Sequence, residues 1–337
     1  RRMDRSGMLR RAPVCFKWKM LSALAYLPFL RSFPLVGVQD FKRQYLPNLT
    51  SDIFDNETIR ELSVELSVEA FVVGSDQVWN CKAAPKLRNY YLDFTKGMDG
   101  VRRIAYAASF GKDGWHYSHS DTEGCSELAQ HFDAISVRED SGVALCREHL
   151  GVDAVHMLDP TLLLDRSDYH EIIEHSGARK YQNALLTYIL DDSEYKHELV
   201  EGVSGHLNLE VVGLMPRSKR ESFKRGLRGQ HATVEQWLCG FDSSDYVVTD
   251  SFHGTLFSVI FNKPFIAIAN EERGVARFKS FLEMVGLEDR LVFVGSEWTS
   301  IIDKPINWEE VNRKIAVQRE KAFDFLKCGL EGGADAI

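Results

Sequence analysis

Short unbroken apolar runs recur along this chain and alternate with longer stretches whose apolar positions fall three or four residues apart. The first pattern predicts strands buried on both faces, the second predicts helices with one apolar stripe, and their alternation predicts parallel sheets covered by helices. Strands are expected at 70–73, 103–108, 134–137 and 155–158, with helices at 56–68, 122–131 and from the charged step Arg138-Glu139-Asp140 through Leu150. The polar region 165–181 reads as a linker. Beyond it, strands at 184–190, 209–214, 246–249, 265–269 and 291–294 alternate with helices at 195–207, from near Thr233, up to Phe261, at 275–284 and at 307–325. Thr233 and Gln236 have the spacing of a capping box.

The stretch from Phe241 to Ala269 holds the clearest unit of this grammar: a strand, a tight polar loop at Asp250-Ser251-Phe252-His253-Gly254, a helix, a turn at Asn262-Lys263-Pro264 and a second strand. Loops that leave the carboxyl ends of parallel strands are where ligands gather. The polar turn Gly74-Ser75-Asp76-Gln77, with Trp79 behind it, follows the first strand in the same way.

The length of 337 residues favours two domains over one. A net charge of -8 gives no support to a nucleic-acid surface. Six scattered cysteines without a CxxC pair indicate reduced thiols and a cytoplasmic setting, and they exclude a zinc knuckle. His116 and His119 have metal-like spacing, but no carboxylate motif completes a set, so no metal site is expected. Met20–Leu30, broken by Ser22 and Pro28, is too short to span a membrane and reads as a packing helix or loop. No P-loop and no G-x-G-x-x-G is present.

Five strings in order, FVVGSDQVWN at 71–80, RIAYAASFG at 103–111, ISVRE at 135–139, LDPTLL at 158–163 and TDSFHGT at 249–255, resemble the polysaccharide pyruvyl transferase family over roughly residues 70–290. The resemblance implies an α/β fold of two Rossmann-like domains with parallel sheets facing a cleft, in the GT-B manner. The expected division is 1–165, without the family's first strand and loop, then 183–305 with the donor site, then a closing helix and tail at 306–337. The resemblance also implies transfer of a pyruvyl group from phosphoenolpyruvate to a hexose of a polysaccharide or its precursor, giving a cyclic ketal and phosphate, with no tightly bound cofactor. Peripheral association with membrane-linked glycan synthesis at the inner face of the membrane would follow, and the sequence carries no signal for oligomeric state. The family's Ser-x-Arg motif has no match at Leu186–Leu190.

Such chemistry needs a proton donor and a proton acceptor, an anion grip and an oriented acceptor. His253 titrates near neutrality and is the first candidate for proton transfer. Asp76 is a second, as a base or a partner of sugar hydroxyls, with turn bracing as its other reading. Donor binding is expected from Ser251, Phe252, Gly254 and Thr255, where a helix start could offer free amides, and from Arg217 and Arg277, which could equally be solvated surface charges. The acceptor side is assigned to Gly74, Ser75, Gln77, Trp79 and Asp250, with Trp79 either a sugar platform or core. Arg138 and Glu139 are expected to pair and brace a strand end. A nucleotide-sugar glycosyltransferase and an inactive scaffold are the competing functions, since one fold hosts many chemistries.

Overall fold

The protein is described by a computed structural model covering residues 38–46, 48–50, 53, 55–84, 86–215, 232–271 and 273–332. Met20–Leu30 and Arg217, with the basic run around it, lie outside the described residues.

Two parallel sheets carry the fold. The first holds β1 (Ala70–Val73), β2 (Arg102–Ala108), β3 (Ala134–Val137) and β4 (Val155–His156), side by side in chain order. The second holds β5 (Ala184–Tyr188), β6 (Glu210–Gly213), β7 (Tyr246–Thr249), β8 (Phe265–Ile268) and β9 (Leu291–Val292), ordered β6-β5-β7-β8-β9. That order reverses direction between β5 and β7, which makes the ends of these two strands a switch point where a crevice opens. β3, β5, β7 and β8 are buried at every position and their sequences are apolar except for Ser136, Thr187 and Thr249, whose hydroxyls bond to backbone carbonyls.

Helices α1 (Val38–Tyr45), α2 (Asn56–Glu65), α3 (His119–Ala129), α4 (Ser141–Leu145), α5 (Arg166–Ser176), α6 (Glu194–Leu207), α7 (Val234–Ser243), α8 (Phe252–Ile260), α9 (Ala276–Val285), α10 (Thr299–Ile302) and α11 (Trp308–Glu331) connect and cover the strands. Oxygens of Asp55, Ser118, Asp165, Ser193, Thr233, Ser251 and Asn307 each accept an amide of the first turn that follows, so the local sequence sets where these helices start.

Four expectations are corrected. The 165–181 region holds α5, whose Asp165 and Asp168 form a reciprocal capping box and whose Tyr169, Ile172 and Ile173 are buried; the charges around this narrow stripe hid it. Thr233 caps α7, but the Gln236 side chain turns away to Arg179 and Tyr181, so the capping box there is only half made. The helix after Asp140 ends at Leu145 and continues as a π turn through Leu150. β4 stops after His156, and beyond it the Leu158 carbonyl accepts from the Tyr106 hydroxyl at 3.0 Å instead of a neighbouring strand.

One apolar cluster runs through both halves, joining Ile104, Tyr106, Leu162 and Tyr169 to Leu186, Trp237, Phe257 and Phe281. α11 contributes Val311 and Phe325 to it. Its early turns reach α9, where Lys314 donates to the Val285 carbonyl at 3.4 Å. Its later turns reach the first sheet, with Arg319 donating to the carbonyls of Leu162 and Leu164 at 2.8 and 3.0 Å and Gly329 packed on Ile104.

Candidate active site

The loops after β1, β3 and β4 meet the start of α8 and the first turn of α9 in one buried cluster of charges. Gly74 starts the β1 loop with φ +130°, and a β-carbon there would lie 2.0 Å from the Tyr106 carbonyl oxygen, so only glycine lets the loop lie this close to β2. The turn it permits places Ser75 and Asp76 against Arg138, at the carboxyl end of β3. Arg138 donates from Nη2 to Asp76 Oδ1 at 3.0 Å and from Nη1 to Asp159 Oδ2 at 2.8 Å. Ser75 Oγ donates to the Ala107 carbonyl and lies 3.3 Å from Asp159 Oδ2. From the second half, His253 Nε2 lies 3.8 Å from Asp159 Oδ2, and Arg277 Nη1 lies 3.8 Å from Asp76 Oδ1. The Gln77 amide is 2.9 Å from Arg277 Nη2 and accepts from it when its oxygen faces the arginine. Phe252 joins the two guanidiniums, with the Arg138 and Arg277 carbons 5.0 and 5.4 Å from its ring centroid.

Burial and pairing set the charge state of this cluster. Burial alone would raise the Asp76 carboxyl, but Arg138, His253 and Arg277 overcome it and hold its pKa at about 2. Asp159 is lowered in the same way, against burial, by Arg138 and His253. Burial lowers His253, so the imidazole is held neutral despite the two aspartates. Burial, reinforced by Arg138, lowers Arg277 to about 10, so its cation is the less compensated of the two. Burial raises Glu139 although Arg138 is its neighbour.

A second network fixes the switch point. Asp250 accepts from the Leu190 amide at 2.7 Å, the Asp191 amide at 3.1 Å and Lys196 Nζ at 2.7 Å. Arg273 grips Asp191 with two bonds, at 2.6 and 2.9 Å, which hold that carboxyl at about 2. Asn270 donates to the same carboxylate at 2.6 Å. The hollow at the ends of β5 and β6, lined by Thr187, Ile189, Leu190, Asp192, His197, Val200 and Met215, includes none of the charges clustered at His253.

His253, Asp76, Ser75, Gln77, Phe252 and Arg277 thus come together, and several expected roles are corrected. Trp79 is fully buried, stacked on Tyr91 at 4.7 Å with its indole N–H on the Tyr90 carbonyl, so it is core and no sugar platform. Asp250 accepts from Lys196 and two amides and so braces the switch point, apart from the charges at His253. Ser251 caps α8 by accepting the Gly254 amide at 3.3 Å, and its carbonyl takes the Thr255 amide at 2.9 Å. The amides of Gly254 and Thr255 are therefore used inside the helix start, and Gly254 serves packing, since a β-carbon there would lie 2.2 Å from Thr249 Oγ1. Arg138 pairs with Asp76 and Asp159 and leaves Glu139 to the Ser109 hydroxyl and the amides of Phe110 and Gly111. Arg138, Glu139 and Asp159 are the site residues sequence reasoning did not select. Their signal was position, since each follows a strand end of the first sheet as Asp250 and His253 follow β7.

Among the described residues no three His, Cys, Asp or Glu side chains gather as a metal set, and no helix is long and apolar enough to cross a membrane. Among solved structures, the chain is similar to a glycosyltransferase from Rickettsia africae ESF-5, with 11% identity over 93% of this chain and 91% of that one and a TM-score of 0.46. It is also similar to the wall teichoic acid polymerase TagF, with 11% identity over 72% of this chain and 71% of that one and a TM-score of 0.35. No curated protein sequence matches it. The family model for polysaccharide pyruvyl transferase matches residues 26–272, well over half of the chain, and takes in Asp76, Arg138, Asp159 and His253 but ends before Arg277. The chain belongs to the polysaccharide pyruvyl transferase family and is an enzyme of pyruvyl transfer to a polysaccharide or its precursor.

Proposed function

We propose that the pyruvyl donor is phosphoenolpyruvate, gripped at the buried cluster by Arg277 beside the Asp76–Arg138–Asp159 network, with His253 moving a proton and the acceptor hexose entering over the Gly74–Gln77 loop. The observation that carries this reading is Arg277: a buried guanidinium lowered to about 10, facing one carboxylate at 3.8 Å, is a cation in want of an anion. A phosphate or carboxylate beside it would restore the balance, and a planar guanidinium suits either. Phe252 holds both arginines in place for that ligand.

A neutral His253 suits removal of a proton from an acceptor hydroxyl. Asp76, held at about 2, is a weak base, and its part is to fix the two arginines. A cluster this buried must open to admit substrate and close to exclude water. The same reading puts the enzyme in the cytoplasm, at the inner face of the membrane where lipid-linked acceptors are presented; the free thiols of Cys81, Cys125, Cys146, Cys239 and Cys328 support it.

Calorimetry with phosphoenolpyruvate on the wild type, Arg277→Met and His253→Ala tests this. The reading expects binding by the wild type, loss of about tenfold or more in affinity in Arg277→Met, and loss of turnover in His253→Ala. Binding of a nucleoside diphosphate with none of phosphoenolpyruvate would overturn it.

A further inference from the structure

Glu139 is fully buried among the loops of the first sheet and is not needed to neutralise Arg138, whose terminal nitrogens already face Asp76 and Asp159. Its two oxygens are treated unequally. Oε1 accepts all three of the bonds made to the carboxyl: the Ser109 hydroxyl at 3.1 Å, the Phe110 amide at 2.6 Å and the Gly111 amide at 3.0 Å. Oε2 has no hydrogen-bond partner among the described residues, although it is out of reach of solvent. An ionised carboxylate spreads its charge over both oxygens, and leaving one of them buried and bare is costly. The neutral acid halves that mismatch: Oε1 becomes a carbonyl oxygen facing its donors, and Oε2 a hydroxyl whose proton no protein acceptor among the described residues holds.

We propose that Glu139 is the acid that delivers a proton from Oε2 to the methylene carbon of phosphoenolpyruvate. This rests on the donor reading above and adds to it the group that reading lacks, since Asp76 and Asp159 are ionised and His253 is held as a base. The charged and titratable groups acting around Glu139 are Arg138 at the end of β3, Arg277 on α9 and the buried Cys146 thiol. Burial outweighs the two cations and the bonds from Ser109 and Gly111 and raises the carboxyl above its ordinary value, the direction an acid needs when the base in the same site is shifted the other way.

The step balances. The first acceptor hydroxyl oxygen bonds to C2 and gives its proton to His253, while the electrons of the C2–C3 double bond take the Glu139 proton and C3 becomes a methyl group. The C2–O bond to phosphate then breaks with its electron pair on the phosphate. The second hydroxyl oxygen bonds to C2, and its proton goes to the departing phosphate. The proton held by His253 returns to Glu139 when the site opens to water. No oxidant, metal or second donor is required.

Glu139→Gln keeps an oxygen for the three donors and removes the acidic proton. Phosphoenolpyruvate affinity should stay within about threefold while kcat falls by about a hundredfold or more, the usual worth of a positioned acid. In the wild type kcat/KM should decline on the alkaline side as the acid ionises, and the residual rate of Glu139→Gln should lack that limb. Turnover of Glu139→Gln within about fivefold of the wild type, with the alkaline limb intact, would overturn the proposal and leave donor binding standing. Failure of the wild type itself to bind phosphoenolpyruvate would remove the donor reading and the proposal with it. If Glu139→Gln does not fold, Glu139→Asp keeps the acid but withdraws its oxygen by one methylene. It should bind the donor normally and turn over slowly with the alkaline limb retained, and a wild-type kcat there would overturn the assignment.

Discussion

Gly274 lies so close to Gly111 that a β-carbon on the first would stand 1.8 Å from the carbonyl oxygen of the second. Gly274 belongs to the loop after β8 and Gly111 to the loop after β2, so the two halves meet here by bare backbone. Gly111 also gives its amide to Glu139, which ties this contact to the charged cluster. At φ +93° Gly274 is in a region that L side chains rarely adopt, so Gly274→Ala should carry about 1–3 kcal/mol of backbone strain and hold the loops apart. The expected result is a lower Tm, a larger radius of gyration by solution scattering and a kcat reduced about tenfold.

Arg277→Met should separate stability from function. The variant removes a buried cation that burial and Arg138 both disfavour, and it keeps the unbranched stem that packs near Phe252. Its urea midpoint should stay level or rise, while the KM for phosphoenolpyruvate increases about tenfold or more. A large loss of stability with KM unchanged would make Arg277 a structural ion.

Asp76 gives the fold an acid-sensitive contribution of known sign. Its carboxyl falls from an ordinary value of 3.8 to about 2 in the folded protein, so its stabilisation is complete above the first value and is lost as pH falls through the second. The amount is on the order of 2 kcal/mol. Urea unfolding between about pH 5 and about pH 2 should therefore fall more steeply for the wild type than for Asp76→Asn.

Trp79 offers a test of core against ligand platform. Trp79→Phe should lower stability by about 1–3 kcal/mol, through the lost Tyr90 bond and part of the Tyr91 stack, and should leave the acceptor KM unchanged. Trp79→Ala should cost about 3–5 kcal/mol. A rise in acceptor KM for Trp79→Phe at unchanged stability would return the residue to the site.

The strands were legible because parallel strands covered by helices write themselves as largely apolar runs, and β1, β3 and β7 begin and end where those runs do, although β1 is only partly buried. The switch-point loop was legible for the same reason: Asp250 to His253 is the first polar stretch after β7. What a linear reading could not supply was which polar side chains turn toward each other. Asp250 and Asp76 both follow strand ends, yet Lys196, 54 residues away, occupies the first, while Arg138, 62 residues away, and Arg277 face the second. Arg138 and Glu139 are adjacent in sequence and point to different partners, because neighbours at a strand end face opposite sides. Trp79 gave no sign of its burial, since an indole suits a sugar face and a core equally well.

The last helix has a mechanical consequence. α11 is a rod of about 36 Å, with one end fastened to α9 and the other laid under the first sheet. A stiff strut fixed at two points resists being stretched, so the helix clamps the two halves over the core they share and keeps that side of the molecule shut.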